Sequence, residues 1–195
     1  MCDNQDKRKQ WGTTMAKVTT GTGDDGYTGL IGEARVAKYD PRPDTFGTVD
    51  EATSALGLAR AMTTDSEIRE LIMHVQRDLY VLMAELATPA ENLAAVGMAI
   101  TTAHVMWIEQ AEEDLKKRVE IPNKFIIPGD TPDGAALDLA RTIIRRAERM
   151  AVKLLHDGVI ANREVVRYLN RCSDFVFILA RVLEVRTGGS TLAKD

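Results

Sequence analysis

Cysteine, histidine and long apolar runs are all scarce in this chain, and each shortage removes a class of protein. Cys2 and Cys172 are the two cysteines in 195 residues, too few for a disulfide framework and consistent with a reducing cytoplasm. There is no CxxC pair and no HExxH, and His74, His104 and His156 are scattered. Each reads as a helix-surface or core residue and not as a metal ligand. No apolar stretch is long enough to span a bilayer. Basic charge is short as well: 25 Lys and Arg against 29 Asp and Glu leave a formal net charge of −4, which argues against nucleic-acid binding. Residues 1–16 lack the apolar centre of a signal peptide and read as a flexible extension, with Met15 a candidate alternative start. The rest, residues 17–190, fits one domain with a real core.

What is present is local. The segment from Asp138 to Arg149 carries four arginines and two acids. Leu137, Ala140, Ile144, Ala147, Ala151 and Leu154 recur at spacings of three and four, which marks a buried helical stripe. Asp138, Arg141, Arg145 and Glu148 each follow a stripe member by one position, about 100° around the helix. The charged row therefore lies beside the core seam and suits either a bound polyanion or a buried ionic network. Downstream, Val165, Leu169, Cys172, Val176, Leu179 and Leu183 form a second seam, with Asn170, Asp174, Phe177 and Arg181 along one side. Two such helices can leave a polar cleft between them, or simply pair their charges.

In chain order, residues 19 to 32 hold five glycines and several hydroxyls and read as a loop, neither helix nor strand. Its amides could approach a phosphate, or it could be a plain turn. Lys38 follows in a polar stretch ending at Pro41 and Pro43. A first helix is expected from about Gly47 to Met62, with Asp50 and Glu51 in its first turn, where the helix dipole favours acids. A second spans about Asp65 to Leu86, closed by Pro89. A third runs from about Met98 to Val119. Residues 90–97 are ambiguous. The apolar run Phe125-Ile126-Ile127 reads as an extended loop without a partner strand, with Phe125 a candidate core anchor. Thr131 or Asp133 caps a fourth helix reaching His156, and Asn162 caps a fifth reaching about Arg186. The pattern predicts an all-α bundle of five helices.

Four ordered blocks carry a resemblance. They are Thr20-Gly21-Thr22-Gly23-Asp24-Asp25-Gly26-Tyr27-Thr28; Gly47-Thr48-Val49-Asp50-Glu51, preceded by Lys38 and Arg42; Phe125-Ile126-Ile127-Pro128-Gly129 with the arginine helix; and Tyr168-Leu169-Asn170-Arg171-Cys172-Ser173-Asp174. Together, over residues 17 to 186, they resemble the PduO-type ATP:cob(I)alamin adenosyltransferases. The resemblance implies a five-helix bundle of the ferritin-like up-and-down type, assembled as a homotrimer with sites between subunits. The implied reaction moves the 5′-deoxyadenosyl group of ATP to the cobalt of cob(I)alamin and releases triphosphate. Cobalt(I) is then the nucleophile, so no base-activated Ser, Cys or His is needed. The protein positions the reactants and stabilises a triphosphate leaving group.

Carried over by position, Thr20, Gly21, Thr22, Gly23, Thr28 and Lys38 would cradle ATP. Arg145, Arg146, Glu148, Arg149 and Asn170 would complete that site, with Mg²⁺ held mainly by the phosphates and by no protein metal site. Arg141 would pair with Asp50 of a neighbouring subunit. Phe125 would sit beneath the corrin and exclude its lower axial ligand, easing reduction to cobalt(I). The catalytic set implied is Arg145, Arg141, Asp50 and Phe125, and delivery of the product to a cobalamin-dependent enzyme is a natural extension. This chain departs from the family pattern at Gly21, where a lysine is common, and at Asp138, where a histidine is common. It departs also at Asp130, in place of a second glycine, and at Cys172, in place of an apolar residue. The changes at Gly21 and Asp138 leave a competing expectation, a non-catalytic trimeric bundle that carries or senses ATP and corrinoid. A helical scaffold with purely structural ionic rows is the third.

Overall fold

A computed structural model describes residues 19–32 and 34–194. The expected extension over residues 1–16 lies outside them. Six α-helices occur among the described residues: α1 Pro41–Met62, α2 Ser66–Leu86, a single turn α3 Leu93–Val96, α4 Thr102–Lys116, α5 Pro132–His156 and α6 Arg163–Glu184. Five are long. Helix α5 packs on both α1 and α6; α2 flanks α1, and α4 flanks α6.

The seams read from spacing form the centre of this bundle. Leu137, Ala140, Ile144, Ala147, Ala151 and Leu154 of α5 are buried, and so are Val165, Leu169, Cys172, Val176, Leu179 and Leu183 of α6. Burying one such Leu, Ile or Val is worth about 1.5–3 kcal/mol, so these two faces contribute strongly to cohesion. From α1, Val49, Ala52, Leu56 and Ala59 close the other side of α5.

Three boundaries differ from expectation. Helix α1 begins at Pro41, not Gly47: the Asp40 side chain accepts from the Arg42 N–H at 2.9 Å, and the prolines sit in the first turn, where a missing N–H costs nothing. Asp50 and Glu51 are therefore mid-helix, in the third turn, and the dipole does not explain them. Helix α4 starts at Thr102, because the Thr101 N–H donates to His104 Nδ1 at 3.1 Å and caps it there. It ends at Lys116 and not at Val119. The glycine-rich segment is not wholly loop. Strand β1 (Tyr27–Gly29) pairs antiparallel with β2 (Arg35–Ala37), Thr28 opposite Val36. Strands this short and flanked by glycine carry no period-2 signal to read.

The apolar run after α4 does have a partner. Ile126 bridges Leu192 in antiparallel fashion. The Ile127 N–H donates to the Thr191 carbonyl and the Ala193 N–H to the Phe125 carbonyl, both at 2.8 Å. The chain end thus folds back along the Phe125 segment. Phe125 itself is 88% exposed, so the core-anchor expectation is wrong: backbone pairing holds this segment, and its ring is left in solvent.

A polar island sits inside the α2–α4–α6 contact. The Tyr168 hydroxyl donates to Asp78 Oδ2 at 2.9 Å, while His74 and His104 approach the same carboxylate at 3.6 and 4.0 Å. His74 stacks on Trp107 at 3.5 Å. Burial raises the Asp78 carboxyl above its ordinary value, against the lowering pull of Tyr168 and the two imidazoles.

Candidate functional site

The β1–β2 hairpin returns the chain so that Lys38 lies over the glycine loop. A β-carbon placed on Gly23 would come within 3.0 Å of Lys38 Nζ, so a side chain there would push the ammonium aside. The Lys38 N–H donates to the Gly26 carbonyl at 2.9 Å, and the Thr20 and Thr22 hydroxyls meet at 2.9 Å. Gly21 takes φ 72°, a left-handed conformation that disfavours the lysine common there in the resemblance. Thr28 lies half-buried in β1. Thr20, Gly21, Thr22, Gly23, Thr28 and Lys38 thus belong to one small unit.

Sequence reading missed the residue that fixes this unit. Arg35 donates to the Thr22 carbonyl at 2.6 Å and to Asp25 Oδ1 and Oδ2 at 3.0 and 3.1 Å. The Tyr27 N–H, together with the Arg35 guanidinium, holds the Asp25 carboxyl below its ordinary value. The only sequence signal was an acid and an arginine ten residues apart, meaningful once the hairpin is known. Arg42, noted only for its place in the second block, has a clear structural use. It donates to the carbonyls of Leu86, Thr88 and Val159 at 2.9, 3.1 and 2.8 Å, tying the end of α2 to the α5–α6 connection.

On α5 and α6 the two polar rows meet along the helix interface. At one end Arg181 donates to Asp138, with both side chains buried, and to Glu184 Oε1 at 2.8 Å. Arg181 Nε also lies 2.8 Å from Glu184 Oε2, but its hydrogen is not aimed at an acceptor; the contact is ionic more than a directed bond. Arg141 Nε stands 3.5 Å from Asp138 Oδ1, and the guanidiniums of Arg141 and Arg181 lie 5.7 and 4.8 Å from the Phe177 ring centre. At the other end Asn170 Nδ2 donates to Glu148 Oε1 at 2.9 Å, and Arg171 donates to Asn170 Oδ1 at 2.6 Å and to Glu109 at 3.0 Å.

In the second half of α5, Arg145, Arg146 and Arg149 are exposed. Arg146 reaches Glu51 of α1 in an ion pair. Arg149 donates to the Arg145 carbonyl at 3.0 Å, and neither Arg145 nor Arg149 pairs with a carboxylate among the described residues. The row is thus split: Asp138 with Arg181 forms a buried ionic network, while Arg145, Arg146 and Arg149 present cationic groups to solvent. An exposed arginine cluster in an acidic chain fits a small polyanion by forked donation.

The hairpin unit and the arginine face are not joined. No hydrogen bond or ion pair links residues 19–38 to α5 among the described residues. Asp50 is exposed, and Arg141 leans on Asp138 of its own chain. Phe125 lines an open apolar cavity of about 360 Å³ together with Lys124, Ala193 and Lys194. No helix is long and apolar enough to cross a membrane among the described residues.

Comparison with known proteins places these features in context. Residues 18–183 match a family model described as cobalamin adenosyltransferase. A corrinoid adenosyltransferase of Mycobacterium leprae (strain TN) is 37% identical over 185 residues, covering 91% of this chain and 95% of that protein. One from Citrobacter freundii is 36% identical over 170 residues, covering 87% and 96%. Among solved structures, a variant of a PduO-type ATP:corrinoid adenosyltransferase from Lactobacillus reuteri, complexed with cobalamin and ATP, superposes with a TM-score of 0.84. It is 31% identical, over 92% of this chain and 100% of that one.

Proposed function

The chain belongs to the cobalamin adenosyltransferase family, and from that premise we propose how its residues divide the work. The enzyme transfers the 5′-deoxyadenosyl group of ATP to the cobalt of cob(I)alamin, giving adenosylcobalamin and triphosphate. The cobalt(I) electron pair forms the new bond to C5′ as the C5′–O bond breaks, and the electrons leave with the triphosphate. No proton need be moved by the protein, so its contribution is positioning and electrostatic stabilisation.

The hairpin unit with Lys38 grips the phosphates from one side and Arg145, Arg146 and Arg149 from the other, while Glu148 and Asn170 orient the nucleotide. The observation that carries this assignment is that Arg145 and Arg149 face solvent without carboxylate partners among the described residues, beside arginines that are paired. No bond joins the two halves in one chain among the described residues, which supports a homotrimer whose neighbours complete the site, with Arg141 able to leave Asp138 for the partner subunit's Asp50. Mg²⁺ travels with the triphosphate, whose oxygens suit it. Phe125, exposed over its apolar cavity, occupies the corrin's lower face. Residues 17–190 act as one domain, in a cytoplasmic setting from which the product passes to a cobalamin-dependent enzyme.

Anaerobic mixing of the protein with ATP, Mg²⁺ and chemically reduced cobalamin is expected to yield adenosylcobalamin and triphosphate in equal amounts. Absence of both products under strongly reducing conditions would refute the reading.

A further inference from the structure

The segment bearing Phe125 leaves α4 through Pro122 and enters α5 at Pro132, so neither neighbouring helix extends into it. Its support comes from the chain end. Besides the Ile126–Leu192 bridge and its two backbone bonds, one side chain closes the contact. Asp130 accepts from the Thr191 N–H through Oδ2 at 2.7 Å and from the Thr191 hydroxyl through Oδ1 at 2.6 Å. The carboxylate uses both oxygens on one residue, a charge-assisted pair stronger than either neutral bond. Gly129, at φ 128°, makes the turn that brings Asp130 round to face the tail. The tail is tied a second time, where the Ser190 hydroxyl donates to Glu184, which itself belongs to the Arg181–Asp138 network.

We propose that Asp130 is a positioning residue for Phe125: its two bonds to Thr191 clasp the terminal strand against residues 125–127 and thereby fix the ring at the corrin site. The inference rests on the reading of Phe125 as the corrin-facing group. A two-residue bridge with no sheet around it among the described residues is marginal alone, and a ring 88% exposed has little packing to orient it. The clasp supplies the missing constraint. Thr191 holds Asp130 in its ionised form, its hydroxyl contributing most and its amide next, so the contact persists at neutral pH.

The test uses the full chain and four variants: Asp130→Ala, Thr191→Val, Phe125→Ala and the double variant Asp130→Ala with Phe125→Ala. Hydrogen exchange without corrinoid reads the clasp directly. The Ile127 and Ala193 amides are expected to exchange at least about tenfold faster in Asp130→Ala, with the α5 and α6 core amides unchanged. Unchanged exchange at those two amides would overturn the clasp. Steady-state adenosylation reads its purpose. Asp130→Ala is expected to lower kcat/KM for cobalamin about tenfold with KM for ATP unmoved, and Thr191→Val to do so partly. Because Asp130 acts through Phe125, the double variant should be no worse than Phe125→Ala alone. Additive losses would overturn the positioning role. A Phe125→Ala enzyme of full activity would instead remove the corrin assignment, and the exchange result alone would then decide whether the clasp exists.

Discussion

Arg181 and Asp138 face each other across the α5–α6 interface with 1% and 4% of their surfaces exposed. Glu184 joins from the following turn, so one guanidinium answers two buried carboxylates, with Arg141 lending partial support. Removing the cation is expected to cost far more than removing one acid. Arg181→Leu leaves two buried negative charges and should lose about 3–5 kcal/mol; Asp138→Asn leaves a balanced Arg181–Glu184 pair and should lose clearly less. Urea unfolding of both variants checks the order, and equal losses would contradict this account of the network.

Arg145 has the opposite surroundings. It is exposed and unpaired among the described residues, so Arg145→Ala should change stability by no more than about 0.5 kcal/mol. Its turnover should fall by about a hundredfold or more if it stabilises the departing triphosphate. Thermal unfolding alongside the anaerobic assay separates the two effects, and wild-type kinetics would place the phosphates elsewhere.

Phe125→Ala should also leave the fold intact, since the ring buries almost nothing. ATP binding measured by calorimetry should be unchanged while adenosylation drops steeply. A large loss of thermal stability would show that the ring packs against something in the assembly.

Asp78 gives a pH signature. Burial is the main cause of its raised pKa, and the Tyr168, His74 and His104 contacts only offset it. The folded state therefore holds this proton more tightly than the unfolded chain. Its stabilising contribution is complete below the unfolded value of 3.8 and is lost as pH rises through the raised folded value. Asp25, Asp65, Glu67 and Asp114 are lowered and slope the other way, so the difference between wild type and Asp78→Asn must be measured. Urea unfolding from about pH 4 to pH 7 should show Asp78→Asn gaining on wild type as pH rises; a flat difference would contradict the burial argument.

Cys172 is buried in the α6 seam, and desolvation pushes its thiol well above the ordinary range. A thiol reagent should modify it only on unfolding. Rapid modification of Cys172 in the native protein would mean that α6 opens readily.

The bundle is legible in the sequence because a helical seam is written within a few turns. Leu137 to Leu154 and Val165 to Leu183 bury as their spacing requires, whatever they pack against. The flanking rows were legible as rows, yet their division was not. Whether Asp138 met Arg181 or a ligand depended on a residue 43 positions away, and spacing within one helix carries nothing about that distance. Prolines at 41 and 43 misled the start of α1, because the same residue that ends a helix interior is tolerated in its first turn.

The sequence by itself therefore determined the helical faces, the arginine concentration and the family blocks, all of which follow from local periodicity and composition. Tertiary structure alone decided which charges are neutralised, that Arg35 staples the glycine-rich loop, and that Thr191 reaches Asp130 across 61 positions. Those outcomes depend on the meeting of distant side chains, and long-range proximity is set by how the packed helices place their ends, not by any segment's own preference.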